Sequence, residues 1–211
     1  MANLVCGIGI NDADYVTQKY MAAGCANSKH KKLVWICPYY RAWKSMIARC
    51  YNGKLQIKRP TYAGCYVAKE WLVFSNFKKW MTAQDWEGKQ LDKDILFPGN
   101  KSYSPETCAF VSSQVNAFVT DRCAARGEWP VGVCWSKYAN RFQAKCCNPF
   151  TNKQKHLGYF DNEQDAHQAW LKYKFFAAHQ LAAIQVNPKI AIALMERYSC
   201  ERTAQPYRRR P

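Results

Sequence analysis

The sequence predicts an α+β protein, and three observations carry that expectation. Residues 131–160 hold three short runs of alternating apolar and polar side chains separated by turn residues, the pattern of antiparallel strands. An amphipathic helical pattern follows directly, opened by Asp161-Asn162-Glu163. Upstream, from Pro38 to Thr82, large aromatic residues recur at three- and four-residue spacing, the period of a buried helix face.

Composition narrows the class. The chain has 211 residues, 48% of them hydrophobic and 15% aromatic, which supplies real cores and excludes a largely disordered protein. Its formal net charge of +16, from 31 Lys and Arg against 15 Asp and Glu, points to a polyanionic partner. A membrane surface fits less well, because the sequence shows neither a long basic amphipathic helix nor an apolar run of spanning length. The opening MANLVCGIGINDADY lacks a basic start and is not a secretory signal, so a cytoplasmic protein is expected. The eleven cysteines are odd in number and show no Cys-x-x-Cys pair, which suits buried free thiols in a reducing compartment. A zinc site drawn from Cys37, Cys50, Cys65 and Cys108 gets little support from their spacing.

Taken in order, Asn11 to Asp14 are residues suited to capping a short helix toward Met21, and Ser28 to Lys32 read as a polar, basic link. Pro38 opens a helix through Asn52 with Tyr39, Trp43, Met46, Ile47 and Cys50 as its stripe. Residues 61–67 read as extended and residues 75–82 as helix, with Trp71, Phe74, Phe77 and Trp80 in the core. A strand is expected over residues 91–96, a turn at Pro98-Gly99-Asn100, and a helix from Ser112 to Ala124. Strands then cover residues 130–135, 141–146 and 155–160. Alternation sends Phe142, Ala144 and Cys146 to one face and Arg141, Gln143 and Lys145 to the other. Asn162 caps a helix whose stripe covers the apolar face of the sheet. A last helix over residues 190–198 precedes a tail with Arg208, Arg209 and Arg210. His167 and His179 are expected to be structural. The expected divisions are residues 1–126, 127–186 and 187–211.

Two resemblances follow from these motifs. Tyr40-Arg41-x-Trp43, Glu70-Trp71-x-x-Phe74, Leu91-Asp92-Lys93-Asp94 and Tyr103-Ser104-Pro105-Glu106-Thr107-Cys108 resemble a phage group related to HNH endonucleases, over about residues 38–120. The resemblance implies a ββα core in which Asp92 and Asn116 stand at the metal-ligand positions. Lys93 stands where the catalytic His would be, and Thr107 where the central Asn would be. An unperturbed Lys near pKa ~10.4 makes a poor base beside a His near ~6.5, so Lys93 is better suited to gripping phosphate. One charged oxygen ligand makes a poor metal site, and the motif is degenerate.

Gly132-Val133, Phe142-x-Ala144, His156-Leu157-Gly158-x-Phe160, Ala166 and Ala169-Trp170 resemble the AP2 DNA-binding domain, over about residues 128–180. That family docks a three-stranded sheet in the major groove and reads it with Arg and Trp. The matching positions are Cys134, Ser136, Tyr138, Lys145, Cys147, Gln154 and His156, and most of the family's arginines are absent from them. The expected DNA contacts are Trp135, Lys137, Tyr138, Arg141, Gln143, Lys145, Lys153, Lys155, His156 and the three tail arginines.

The expectation is a phage-type protein that binds double-stranded DNA, needs no cofactor for binding, has no strong catalysis, and works in the cytoplasm of an infected host cell. One alternative is an HNH-type endonuclease or nickase using Mg²⁺ or Mn²⁺ at Asp92 and Asn116. Another is a host-directed factor whose partner is a host protein.

Overall fold

The computed structural model describes residues 4–22, 31–120 and 128–199. The chain is mixed α+β and divides into two compact units, residues 1–110 and 111–211. Each is built around its own core.

In the first unit, the aromatic spacing does what the sequence predicts. Helix α1 (Pro38–Tyr51) starts on Pro38, whose missing N–H costs nothing in a first turn, and buries Tyr40, Trp43, Met46, Ile47 and Cys50. A short helix α2 (Gly53–Lys58) follows, capped by the Asn52 side chain on Leu55 N–H. Helix α3 (Phe74–Thr82) buries Phe74, Phe77 and Met81 against α1. Trp43 donates its indole N–H to the Trp71 carbonyl at 2.7 Å, so a fully buried ring keeps its polar atom satisfied. Trp80, half-buried, stacks on Phe110 at 5.7 Å.

The expected first helix is not there. Residues Gln18–Ala22 form strand β1, paired antiparallel with β2 (Lys31–Ile36), so the supposed basic link ends in a strand. Tyr20, Val34 and Trp35 favour extended backbone, and this β preference outweighs a capping signal with no apolar helical stripe behind it. The acids near the start serve a distant helix instead. Asp12 Oδ1 accepts from Ser75 N–H at 2.9 Å, filling one of the orphan donors at the start of α3. Burial pushes the Asp12 carboxyl upward, but hydrogen bonds from the Ser75 side chain, the Ser75 N–H and its own N–H together hold the group below its usual range.

Four very short strands and one longer loop complete this unit. Strand β3 (Tyr66–Val67) runs parallel to β5 (Ser102–Tyr103), and β4 (Gln90–Asp92) pairs with β6 (Ala109–Val111). The expected strand over residues 91–96 stops at Asp92. Its Oδ1 accepts from Asp94 N–H at 2.7 Å and Ile95 N–H at 2.6 Å, which turns the chain.

The second unit is organised on an antiparallel sheet in the order β7 (Val133–Ser136), β8 (Arg141–Cys147), β9 (Gln154–Phe160). Helix α5 (Glu163–Ala183) is capped by Asn162, whose Oδ1 accepts from Asp165 N–H at 2.8 Å, and acids occupy its first turn. It buries Leu181 and the small residues Ala166, Ala177, Ala178 and Ala182, which bring it close to its neighbours. Gly132 (φ +81°) lies directly under the Trp170 ring, a position where a Cβ would collide with the indole. His167 accordingly has a structural setting, with Nδ1 2.9 Å from the Val131 carbonyl and its ring stacked on Trp170.

Helix α4 (Ser113–Val119) is shorter than expected from the sequence. Thr120 already lies beyond it with extended dihedrals, and residues 121–124 lie outside the described residues. Its last carbonyls are held by side chains from further along the chain. Lys174 donates to Phe118 O at 2.5 Å and Arg197 to Val119 O at 3.3 Å, cations at the negative end of a helix. Lys174 is buried, and its ammonium stands 3.7 Å from the Phe118 ring centre. Helix α6 (Pro188–Arg197) starts on Asn187-Pro188 and packs Ile190 and Leu194 back toward α5. Among the described residues, no helix is long and apolar enough to cross a membrane.

Candidate nucleic-acid interface

Helix α5 lies on one face of the β7–β9 sheet, and the register decides what the other face carries. Ala144 stands between Val133 and Gly158, and Ala144 and Cys146 are buried on the helix side. The neighbouring row, Cys134–Gln143–Tyr159, points the opposite way, as do Ser136–Arg141 and Lys145–His156. The expected split of Phe142, Ala144 and Cys146 from Arg141, Gln143 and Lys145 is therefore present in the strand.

The register slips between Ala144 and Lys145, because Leu157 is an extra residue on β9. This bulge rearranges the outer strand. Counting by twos from His156 would place Gly158 and Phe160 on the open face. Across the bulge, Tyr159 takes that position instead. Tyr159 is the site residue that sequence reasoning missed, and only the pairing register reveals it.

On the open face the polar groups form one network. Gln143 Nε2 lies 2.9 Å from His156 Nδ1 and donates to the Tyr159 hydroxyl at 3.4 Å. The Cys134 thiol donates to Gln143 Oε1 at 3.8 Å, and the His156 and Tyr159 rings stand 4.7 Å apart. With the Gln143 amide so placed, His156 Nδ1 accepts and Nε2–H remains the ring's donor. An amide, an imidazole N–H and a phenol on one face are groups able to hydrogen-bond base edges.

The cations fall into three settings. Lys145 is exposed on the open face, and Lys137, Tyr138 and Lys153 lie in the exposed turns at its ends, with Tyr138 99% exposed. Arg141 is exposed but paired, with Nε 2.9 Å and Nη2 2.8 Å from Asp161 Oδ1. So open a pair stabilises by less than about 1 kcal/mol, and a phosphate can replace Asp161 at little cost. Lys155 departs from the expectation. It stands opposite Cys146 in the helix-side row, and its ammonium sits 5.1 Å from the Tyr173 ring of α5. Trp135 departs likewise. Its row is Trp135–Phe142–Phe160, and its ring meets Phe142 edge-on at 4.9 Å, away from Gln143. Period two explains both departures: each residue is one position out of phase with the open rows. Arg208, Arg209 and Arg210 lie outside the described residues.

The other candidate residues lie elsewhere. Asp92 ends β4 in the first unit, while Asn116 belongs to α4 in the second. Burial raises the Asp92 carboxyl above its usual range, against the pull of the Asp94 and Ile95 N–H groups. Lys93 is only 5% exposed. Its ammonium donates to both Asp94 carboxylate oxygens at 2.7 Å and to the Asn100 carbonyl at 2.6 Å. All three donors of the ammonium are engaged inside the loop, so the geometry offers neither a phosphate grip nor a lone pair for a base. Asn100 completes the tie, with Nδ2 donating to the Lys93 and Ser102 carbonyls at 2.9 and 2.7 Å. Thr107 Oγ1 donates to the same Ser102 carbonyl at 2.9 Å.

Among the described residues, no three His, Cys, Asp or Glu side chains gather where they would hold a metal ion. The described cysteines are free, and burial pushes the Cys50 and Cys108 thiols up to about 12. Comparison with protein-family models, curated proteins and solved structures found no match.

Proposed function

We propose that the chain is a double-stranded DNA-binding protein that docks through the open face of β7–β9. The carrying observation is that face itself: Arg141, Gln143, Lys145, His156 and Tyr159 gathered on a sheet whose reverse is sealed by α5. In this reading Lys137, Lys145 and Lys153 meet phosphates, and Arg141 exchanges Asp161 for one. Gln143 and His156 face base edges in the major groove. The resemblance of residues 128–180 to AP2 domains supports the same docking mode, with amide and imidazole readout in place of the family's arginines.

The resemblance of residues 38–120 to phage HNH proteins supports a phage-type origin, with that region kept as scaffold. The engagement of all three Lys93 donors favours scaffold over cleavage. Titration of a labelled random duplex with the full chain, over a range of salt, tests the proposal. Affinity should fall steeply with salt, log K against log salt sloping by about −0.9 per phosphate contact. Weak binding at low salt, or binding indifferent to salt, would refute it.

A further inference from the structure

The positive charge is unevenly spread along the chain. Residues 15–69 hold eleven Lys and Arg and no Asp or Glu, leaving 20 Lys and Arg against 15 acids for the remainder. The β1–β2 ribbon lies within this acid-free stretch. Its base is fixed: Ile36 is buried, Cys37 N–H donates to the Thr17 carbonyl at 2.9 Å, and Lys44 Nζ donates to Gln18 at 3.3 Å. Beyond that base the side chains from Lys31 to Trp35 are all exposed, as are Lys19, Tyr20 and Met21 opposite them.

A two-stranded ribbon is marginal without something packed on it, and this one exposes Tyr20 at 50%, Met21 at 63% and Trp35 at 43%. An uncovered apolar ribbon edge invites pairing with other chains. The register places a cation opposite two of the apolar groups: Lys19 opposite Trp35, with its ammonium 5.6 Å from the ring centre, and Lys32 opposite Met21. A second copy of the ribbon would bring lysines against lysines, with no acid in the surrounding sequence to neutralise them. A polyanion with stacked, partly apolar bases suits both features, and a two-stranded ribbon fits the major groove.

We infer that β1–β2 is a second duplex-DNA contact, with Lys19, Lys31 and Lys32 on phosphates and Met21 and Trp35, which share a face, against sugar and base edges. The inference rests on the duplex-binding reading of the chain but uses a separate surface. The test compares three full-length proteins on one labelled duplex over a range of salt: wild type, K19Q/K31Q/K32Q, and the sheet variant R141Q/K145Q/K153Q. The ribbon variant should flatten the salt slope by up to about 2.7, from about 0.9 per lost phosphate contact, and K19R/K31R/K32R should restore it. Circular dichroism keeps loss of contact apart from loss of fold. A ribbon variant with wild-type slope and affinity, beside a weakened sheet variant, overturns the ribbon and leaves the sheet reading standing. No salt-sensitive binding by the wild type sinks the sheet reading as well. A photoreactive residue placed at Met21 should crosslink to the duplex, and crosslinking to protein alone counts against the inference.

Discussion

Replacing Lys93 by Met separates a structural lysine from one that acts on DNA. The substitution keeps most of the stem volume but deletes an ammonium that makes two bonds to Asp94 and one to the Asn100 carbonyl. A bond to a charged group contributes about 1.5–3 kcal/mol. The three are not additive, and Asp94 keeps 42% of its side chain in water, so solvent takes over much of its share. The loss that water cannot repair is the Asn100 carbonyl beside a buried stem, and the net cost comes to about 2–3 kcal/mol. For a unit of this size that lowers the melting temperature by roughly 10–20 °C. Thermal melts read by circular dichroism measure the drop, and anisotropy with labelled duplex well below the melt measures DNA affinity. The expected result is a large fall in stability with unchanged affinity per folded molecule. An unchanged melt with weakened binding, or with lost plasmid nicking in Mg²⁺ or Mn²⁺, would refute the structural assignment.

Three more outcomes follow from the geometry. Gly132→Ala adds a Cβ into the Trp170 ring at φ +81° and should cost about 2–4 kcal/mol, read as an earlier urea midpoint. A thiol reagent at neutral pH should label exposed Cys6 and Cys147 quickly, whereas Cys50 and Cys108, buried and raised to about 12, should react only after denaturation. Asp92→Asn should gain stability over wild type as pH rises. The native carboxyl holds its proton more tightly than an unfolded one near ~3.9, so wild type loses stability from that pH up through the raised folded value, and the Asn variant does not. Melts at acid and neutral pH check the sign, and a wild type that gains on the variant with rising pH would overturn it.

Periodic signals were the legible ones. The stripe of α1, the aromatic run through α3, the Asn162 cap and the in/out split of β8 could all be read by counting threes, fours and twos. What counting could not supply was partnership at a distance. Asn11 to Asp14 carry a capping signal, but sequence cannot say that Asp12 caps a helix starting sixty residues later. Leu91 to Leu96 reads as a strand, yet the Asp92 carboxylate captures two N–H groups and ends it. Lys93 looks like a replaced catalytic residue until its three bonds are seen.

The candidate interface shows the same division on a smaller scale. Charge and alternation were enough to find Arg141, Gln143 and Lys145, because β8 is the central strand and keeps strict alternation up to its buried Cys146. On the outer strand the extra residue at Leu157 breaks the count, so Tyr159 faces out where counting by twos from His156 would put Phe160, while Lys155, one position from His156, lies on the helix side by plain alternation. The bulge therefore does more than bend an edge. It exchanges an apolar row for a phenol that hydrogen-bonds Gln143, and Gln143 in turn orients His156. If base contacts depend on that network, Gln143→Ala together with Tyr159→Phe should remove its amide and its phenol and weaken discrimination between duplexes. The phosphate contacts of Lys137, Lys145 and Lys153 would be left in place, so non-specific affinity and its salt slope should survive. Binding selections on random duplexes, with and without the two substitutions, would show this as a flattened sequence preference at nearly constant overall affinity. A preference that persists would mean that the network does not read the bases.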